Sequence, residues 1–135
     1  MPVDQSLAGR TFPPTAPYVV SAERIHEFAR ATGSTYDGGA APATFPIVVA
    51  FAAMTGLMED PSVGIELHRV VHGEQRFTYT RPVVAGDELT ATLTVDNLRQ
   101  IGGADIIGTR SEIVDAGGLP VCTAFATLVH TGAQP

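Results

Sequence analysis

The run Pro46-Ile47-Val48-Val49-Ala50-Phe51-Ala52-Ala53-Met54-Thr55-Gly56-Leu57-Met58 is apolar on all sides rather than along one stripe. At about 3.6 residues per turn it makes roughly three and a half helical turns, too long for an ordinary strand, and Pro46 suits a first helical turn. A helix without a polar face has to be enclosed by protein. Whatever surrounds residues 46–58 therefore decides the fold.

Downstream the period changes from helical to alternating. Leu89, Ala91, Leu93 and Val95 alternate with Thr90, Thr92, Thr94 and Asp96, the signature of a half-buried antiparallel strand. Gln75, Phe77 and Tyr79 alternate in the same way with Arg76, Thr78 and Thr80, and 104–114 and 121–129 read as two further strands. Turn signals separate them at Ala85-Gly86-Asp87, Gly102-Gly103 and Ala116-Gly117-Gly118. Upstream, Ser21 caps an amphipathic helix with Ile25, Phe28 and Ala29 on one face, ending near Gly33, and 33–43 form a loop. Pro13, Pro14 and Pro17 restrict 12–20 to an edge strand or extended arm. One enclosed helix and four strands, each with one wet face, predict an α+β hot-dog fold, an antiparallel sheet wrapped around a central helix. The alternative is a five-stranded barrel capped by the helix, which would leave one side of 46–58 bare.

The 135 residues, 44% of them hydrophobic with a mean hydropathy of +0.17, suit one domain over 1–135, with loose ends at about 1–10 and 131–135. A net charge of −6 argues against nucleic acid or an anionic membrane as partner. All eight basic side chains are Arg, so lysine Schiff-base chemistry and a Walker-type phosphate loop are excluded. The first ten residues do not read as a secretory signal and no apolar run reaches the ~20 residues of a membrane span, so a cytoplasmic protein is expected.

Few side chains advertise chemistry. His68 and His72 lie four apart, but in a strand or its lead-in that spacing is about 13 Å, and no metal site or cofactor is expected. The single Cys122, set among Val, Ala and Phe, reads as a buried, inert thiol. Asp87 after Gly86 reads as a turn aspartate. Asp37 and His72 are the candidate acid–base residues, although a surface carboxylate and a turn histidine account for them more simply. The start of the apolar helix, Thr44 to Ile47, offers free N–H groups and a positive dipole end that could polarise a thioester carbonyl.

Three segments together carry a resemblance: Ala41-Pro-Ala-Thr-Phe45, His72-Gly-Glu-Gln-Arg-Phe-Thr-Tyr79 and Arg81-Pro-Val-Val-Ala-Gly-Asp87. Across about 10–131 the chain resembles the MaoC-like, FAS1-like dehydratase N-terminal domain, and is most similar to the accessory A-type subunit of (3R)-hydroxyacyl-ACP dehydratases. The resemblance implies a hot-dog dimer acting on an acyl-CoA or acyl-ACP thioester, with Tyr36, Thr44, Phe45, Val48 and Phe51 lining or supporting the acyl site. Catalytic members of that family carry an Asp-x-Asn-Pro-x-His motif before the helix. Here the matching stretch is Thr32-Gly-Ser-Thr-Tyr-Asp-Gly-Gly39, with Ser34 in place of the Asp, Tyr36 in place of the Asn, and no His before the helix. The resemblance thus implies a partner-dependent subunit beside a dyad-bearing hot-dog chain. Two alternatives stay open: an acyl-thioester-binding or thioesterase-like homodimer, with Asp37 or Glu59 as its carboxylate, and an interaction module without acyl ligand.

Overall fold

The structure, a computed structural model, describes residue 3 and residues 5–131. In chain order it contains β1 (Tyr18–Val19), α1 (Ala22–Thr32), α2 (Ile47–Glu59), β2 (Val70–Tyr79), β3 (Glu88–Ile101), β4 (Ala104–Val114) and β5 (Pro120–Thr131), with short 3-10 turns at Gln5–Leu7 and Leu67–Arg69. The strands form one antiparallel sheet in the order β1-β3-β4-β5-β2, curled over α2. This is the mixed α+β hot-dog architecture.

Local chemistry sets each boundary. The Ser21 hydroxyl accepts from the Arg24 N–H at 3.1 Å and starts α1; Gly33, left-handed at φ 72°, ends it by donating its N–H to the Ala29 carbonyl. Gly102 and Gly103, both at positive φ, make the two-residue turn that a β3–β4 hairpin demands. In β3 the inward set Leu89, Ala91, Leu93 and Val95 is buried, and a bulge between Val95 and Asn97 resets the phase so that Leu98 becomes the next buried side chain. β5 directs Cys122, Ala124, Ala126 and Leu128 to the same core.

The expected complete enclosure of α2 does not hold within this chain. Val49, Ala50, Ala53, Met54, Leu57 and Met58 are buried against the sheet, but Phe51 on the other face is 53% exposed. Five strands curl far enough to cover one side of a helix; on the second side the arm residues 12–16 border a pocket with Ala52 and Gly56 but leave Phe51 exposed.

The two sheet edges differ. On the outer side of β3, the arm from Gly9 to Thr15 lies along the strand: Gly9, Phe12 and Thr15 donate N–H groups to the Val95, Leu93 and Ala91 carbonyls at 2.7–2.9 Å, and Val95 donates back to Arg10. Tyr18 and Val19 continue this cover as β1. Pro13, Pro14 and Pro17, which lack N–H groups, make the arm a poor template for another strand. At the other edge, β2 runs for ten residues with nothing paired outside it among the described residues. Near the ends expected to be loose, Val3 and Leu7 are buried, whereas residues 1, 2, 4 and 132–135 lie outside the described residues.

Candidate functional site

Where β2 passes the start of α2, an apolar pocket of about 430 Å³ opens, lined by Phe28 and Thr32 of α1, Thr44 and Ile47 at the α2 start, and His72, Gln75, Arg76 and Phe77 of β2. The alternation of β2 sets this lining. Gln75, Phe77 and Tyr79 pair with the inward-facing Ala126, Ala124 and Cys122, while Glu74, Arg76 and Thr78 pair with the outward-facing Thr127, Phe125 and Thr123. A bulge at Gly73 keeps His72, opposite Leu128, on the inner side as well.

Two polar side chains meet there. His72 Nε2 lies 2.9 Å from Gln75 Oε1, and the Gln75 amide nitrogen donates to the Arg76 carbonyl at 3.4 Å. Because a carbonyl oxygen only accepts, the imidazole donates through Nε2–H.

The structure unites some of the sequence-predicted residues and separates others. Thr44 and His72 line the same pocket. Asp37 does not join them: it is exposed on the 33–43 loop, where its Oδ1 accepts from the Gly39 N–H at 3.0 Å, so no Asp37–His72 pair forms. Tyr36 is half-buried and meets the His26 ring edge-on at 4.7 Å. Phe45 is fully buried, 5.3 Å from the Phe28 ring and 6.4 Å from that of Tyr18, where it supports the pocket from beneath. Val48 is half-buried and Phe51 points away from the sheet. Glu59 is exposed at the far end of α2.

The α2 start differs from the expected open N-terminus. Phe45, Ile47 and Val48 donate their N–H groups to the Pro42, Thr44 and Phe45 carbonyls at 2.9–3.1 Å, and Pro46 has none to give. These tight turns occupy the Phe45, Ile47 and Val48 donors, while the Thr44 N–H is not engaged in them. A sequence reading sees a helix start but not whether a preceding turn has already occupied its amides. Gln75 and Phe77, in the same phase of the β2 alternation, both line the pocket, although the sequence names neither as a site residue.

A second pocket of about 350 Å³ lies beyond β2, between Ala40, Ala41 and Ala43 and the Tyr79–Pro82 segment. The Tyr79 hydroxyl donates to the Ala43 carbonyl, and burial, followed by the nearby Cys122, pushes it up to about 12. Burial likewise pushes the Cys122 thiol up to about 11, as befits an inert core sulfur. Asp87 has the expected turn role, accepting from the Val84 N–H at 2.9 Å, and also pairs with Arg81 through two contacts of 3.0 Å. Arg81 reaches Asp115 too, at 3.3 Å, joining the turn before β3 to the turn after β4 at the same end of that antiparallel pair.

One polar cluster has no counterpart in the sequence reading. His130, 1% exposed, donates from Nδ1 to Asp105 Oδ2 at 3.1 Å and accepts the Glu66 N–H at Nε2 at 3.1 Å, an arrangement that fixes the neutral Nδ1–H tautomer. Asp105 also accepts from Gln100 at 2.8 Å and from the Val3 N–H at 3.3 Å. Burial opposes its ionisation, but the hydrogen bonds from His130, Gln100 and Val3 outweigh that and hold its carboxyl below the ordinary value. The cluster ties the N-terminal segment to the lead-in of β2. No group of three or more His, Cys, Asp or Glu side chains among the described residues is placed to hold a metal.

A sheet curled over a central helix, with an apolar pocket beside that helix's first turn, places the chain among the MaoC-like hot-dog proteins. Residues 6–124 match the FAS1-like, dehydratase domain region, and the chain belongs to that family. It is 49% identical to a UPF0336 protein of Clavibacter michiganensis over 98% of both chains, and 42% identical to one of Streptomyces coelicolor over 99% of both. Among solved structures it is similar to a chain of the C-terminally truncated HadBC (3R-hydroxyacyl-ACP dehydratase) complex of Mycobacterium tuberculosis, with a TM-score of 0.79 and 29% identity, covering 91% of this chain and 96% of that one. A MaoC-like dehydratase gives the same TM-score and identity over 96% of this chain but only 43% of its own. No described helix is long and apolar enough to cross a membrane.

Proposed function

We propose that this chain is a single hot-dog domain acting in the cytoplasm as the partner-dependent subunit of an (R)-specific 3-hydroxyacyl-thioester dehydratase or enoyl hydratase. One observation carries this reading: between α1 and α2, where the family's catalytic members hold their Asp and His, this chain has Ser34, Tyr36 and an Asp37 bound to its own loop. Dehydration removes a proton from the α-carbon and expels the β-hydroxyl as water, so a base and an acid must be held at the two carbons. His72 is the only imidazole at the pocket, and no carboxylate lines it. The closed turns at the α2 start further weaken a catalytic role for this half.

In this reading the chain supplies a wall of the acyl site, through Thr44, Ile47 and Phe77 with Phe45 behind them, and half of a shared sheet. The partner supplies the dyad. The complex named for one structural neighbour, and the length of the other, of which this chain spans 43%, both favour a two-domain working unit. The test is to purify this chain with a dyad-bearing hot-dog chain from the same genome and measure crotonyl-thioester hydration. The expected result is a one-to-one complex whose rate exceeds that of either chain alone by about 100-fold or more. No complex and no change in rate would overturn the proposal.

The pocket itself favours a second reading, a homodimer that holds acyl-CoA or acyl-ACP without converting it. Titration of the chain alone with a non-hydrolysable acyl-CoA, alongside thioester hydrolysis by wild type and Asp37→Asn, separates binding from a thioesterase-like activity.

A further inference from the structure

We propose that the outer face of the sheet, turned away from α2, carries a binding site for a mononucleotide, a flat nitrogen-bearing ring joined to a phosphate. A trough of about 300 Å³ crosses this face from Glu74 and Arg76 on β2, over Phe125 and Gly108, to Asn97 and Arg99 on β3. That volume stands at the small end for ligand sites. The site does not rest on the function proposed above, whose pocket lies on the other face.

Gly108 opens the trough. It pairs with Asn97 on β3 and Thr127 on β5 in the outward phase of β4, so a side chain there would fill the floor. A Cβ at 108 would stand 2.7 Å from Asn97 Oδ1, because the Asn97 amide lies across the glycine. Glycine inside a strand marks a place of close approach, and here it sets a side-chain amide on the floor of the trough.

The charges along the trough are uncommitted. Arg10, Arg69, Arg81 and Arg110 each pair with a carboxylate, whereas neither Arg76 nor Arg99 joins an ion pair among the described residues. Asp96 is neutralised by Arg110 at 3.3 Å, and Glu74 accepts from the Thr127 hydroxyl at 3.4 Å. Two unpaired guanidinium groups against one carboxylate leave a local positive charge in a chain whose net charge is −6, which suits an anionic group.

Arg76 adds a requirement of shape. Its guanidinium carbon stands 4.3 Å over the Phe125 ring centroid and the side chain is exposed, so its second face is open to a flat ring. Glu74, two residues away on the same face, can accept from a ring N–H. Arg76 and Arg99 stand three strand spacings and four residues apart, about 19 Å between their backbones. A compact anion on Arg99 therefore does not touch the Arg76–Phe125 stack. A ligand that uses both is extended, with its ring on Arg76 and its phosphate on Arg99.

Calorimetric titration of the full chain with AMP and with GMP tests this, with ribose 5-phosphate as the probe that keeps the phosphate and lacks the ring. At least one nucleotide is expected to bind about tenfold or more tightly than ribose 5-phosphate. Arg76→Ala and Arg99→Ala should each weaken nucleotide binding by about tenfold or more, and Arg30→Ala, exposed on α1, should leave it unchanged. Because Arg99 does not line the pocket beside α2, its effect separates the two sites. Binding of neither nucleotide, equal binding of ribose 5-phosphate, affinity that survives Arg99→Ala, or an equal loss with Arg30→Ala would overturn the proposal.

Discussion

Asp105 and His130 stand 25 positions apart, on neighbouring strands, and each alone looks like an ordinary strand residue. Only the β4–β5 register, which sets Asp105 opposite His130, brings them together, and no periodicity in the sequence encodes that register. Their burial makes the pair consequential. Asp105→Asn leaves donors from His130 and Gln100 facing an amide, and should cost about 1.5–3 kcal/mol at neutral pH, measured by urea denaturation. Because the Asp105 carboxyl is held below its ordinary value of 3.8, its contribution is complete above that pH and is lost as pH falls through the depressed value. The gap between wild type and variant should therefore narrow below about pH 4, and a gap constant across that range would contradict the assignment. Cys122 was legible from its neighbours alone, and iodoacetamide should leave it unmodified at pH 8 in the folded chain while labelling it in urea.

At the scale of elements, the helices and the principal strands could be read because their signals are local: Ser21 and Gly33 bound α1, and the alternation in 89–95 marks β3. The pocket was harder to read. It needs β2 to curl past Thr44, and the curl follows from pairing with β5 and the Gly73 bulge, neither of which leaves a local trace. Phe45 illustrates the difference between position and role. Next to α2 it looks like a lining residue, yet it is fully buried against Phe28 and Tyr18. Phe45→Ala should cost about 3–5 kcal/mol of stability, read as a lower Tm, because it empties core volume. Thr44→Val, at the exposed side of the same turn, should leave Tm within about 0.5 kcal/mol of wild type in equivalent stability.

For the whole molecule, the apolar run 46–58 announced a helix in need of cover, and the structure supplies half of that cover. The bare face around Phe51 is what the sequence left over once one sheet had been built. If the second hot-dog chain of the proposed function covers this face as well as sharing the sheet, Phe51→Asp should abolish the complex with a dyad-bearing chain while leaving the circular dichroism and Tm of this chain nearly unchanged. Retention of the complex would place the partner elsewhere.

The proline-bearing arm has a further consequence. A sheet with two open rims has two valences and can add subunits without limit, whereas this one has a single valence. Any strand-to-strand union it makes saturates at two chains. Raising the concentration should drive pairing to completion but never to fibres, and deletion of residues 9–17, by unmasking β3, is the change that would convert a self-limiting unit into a polymerising one.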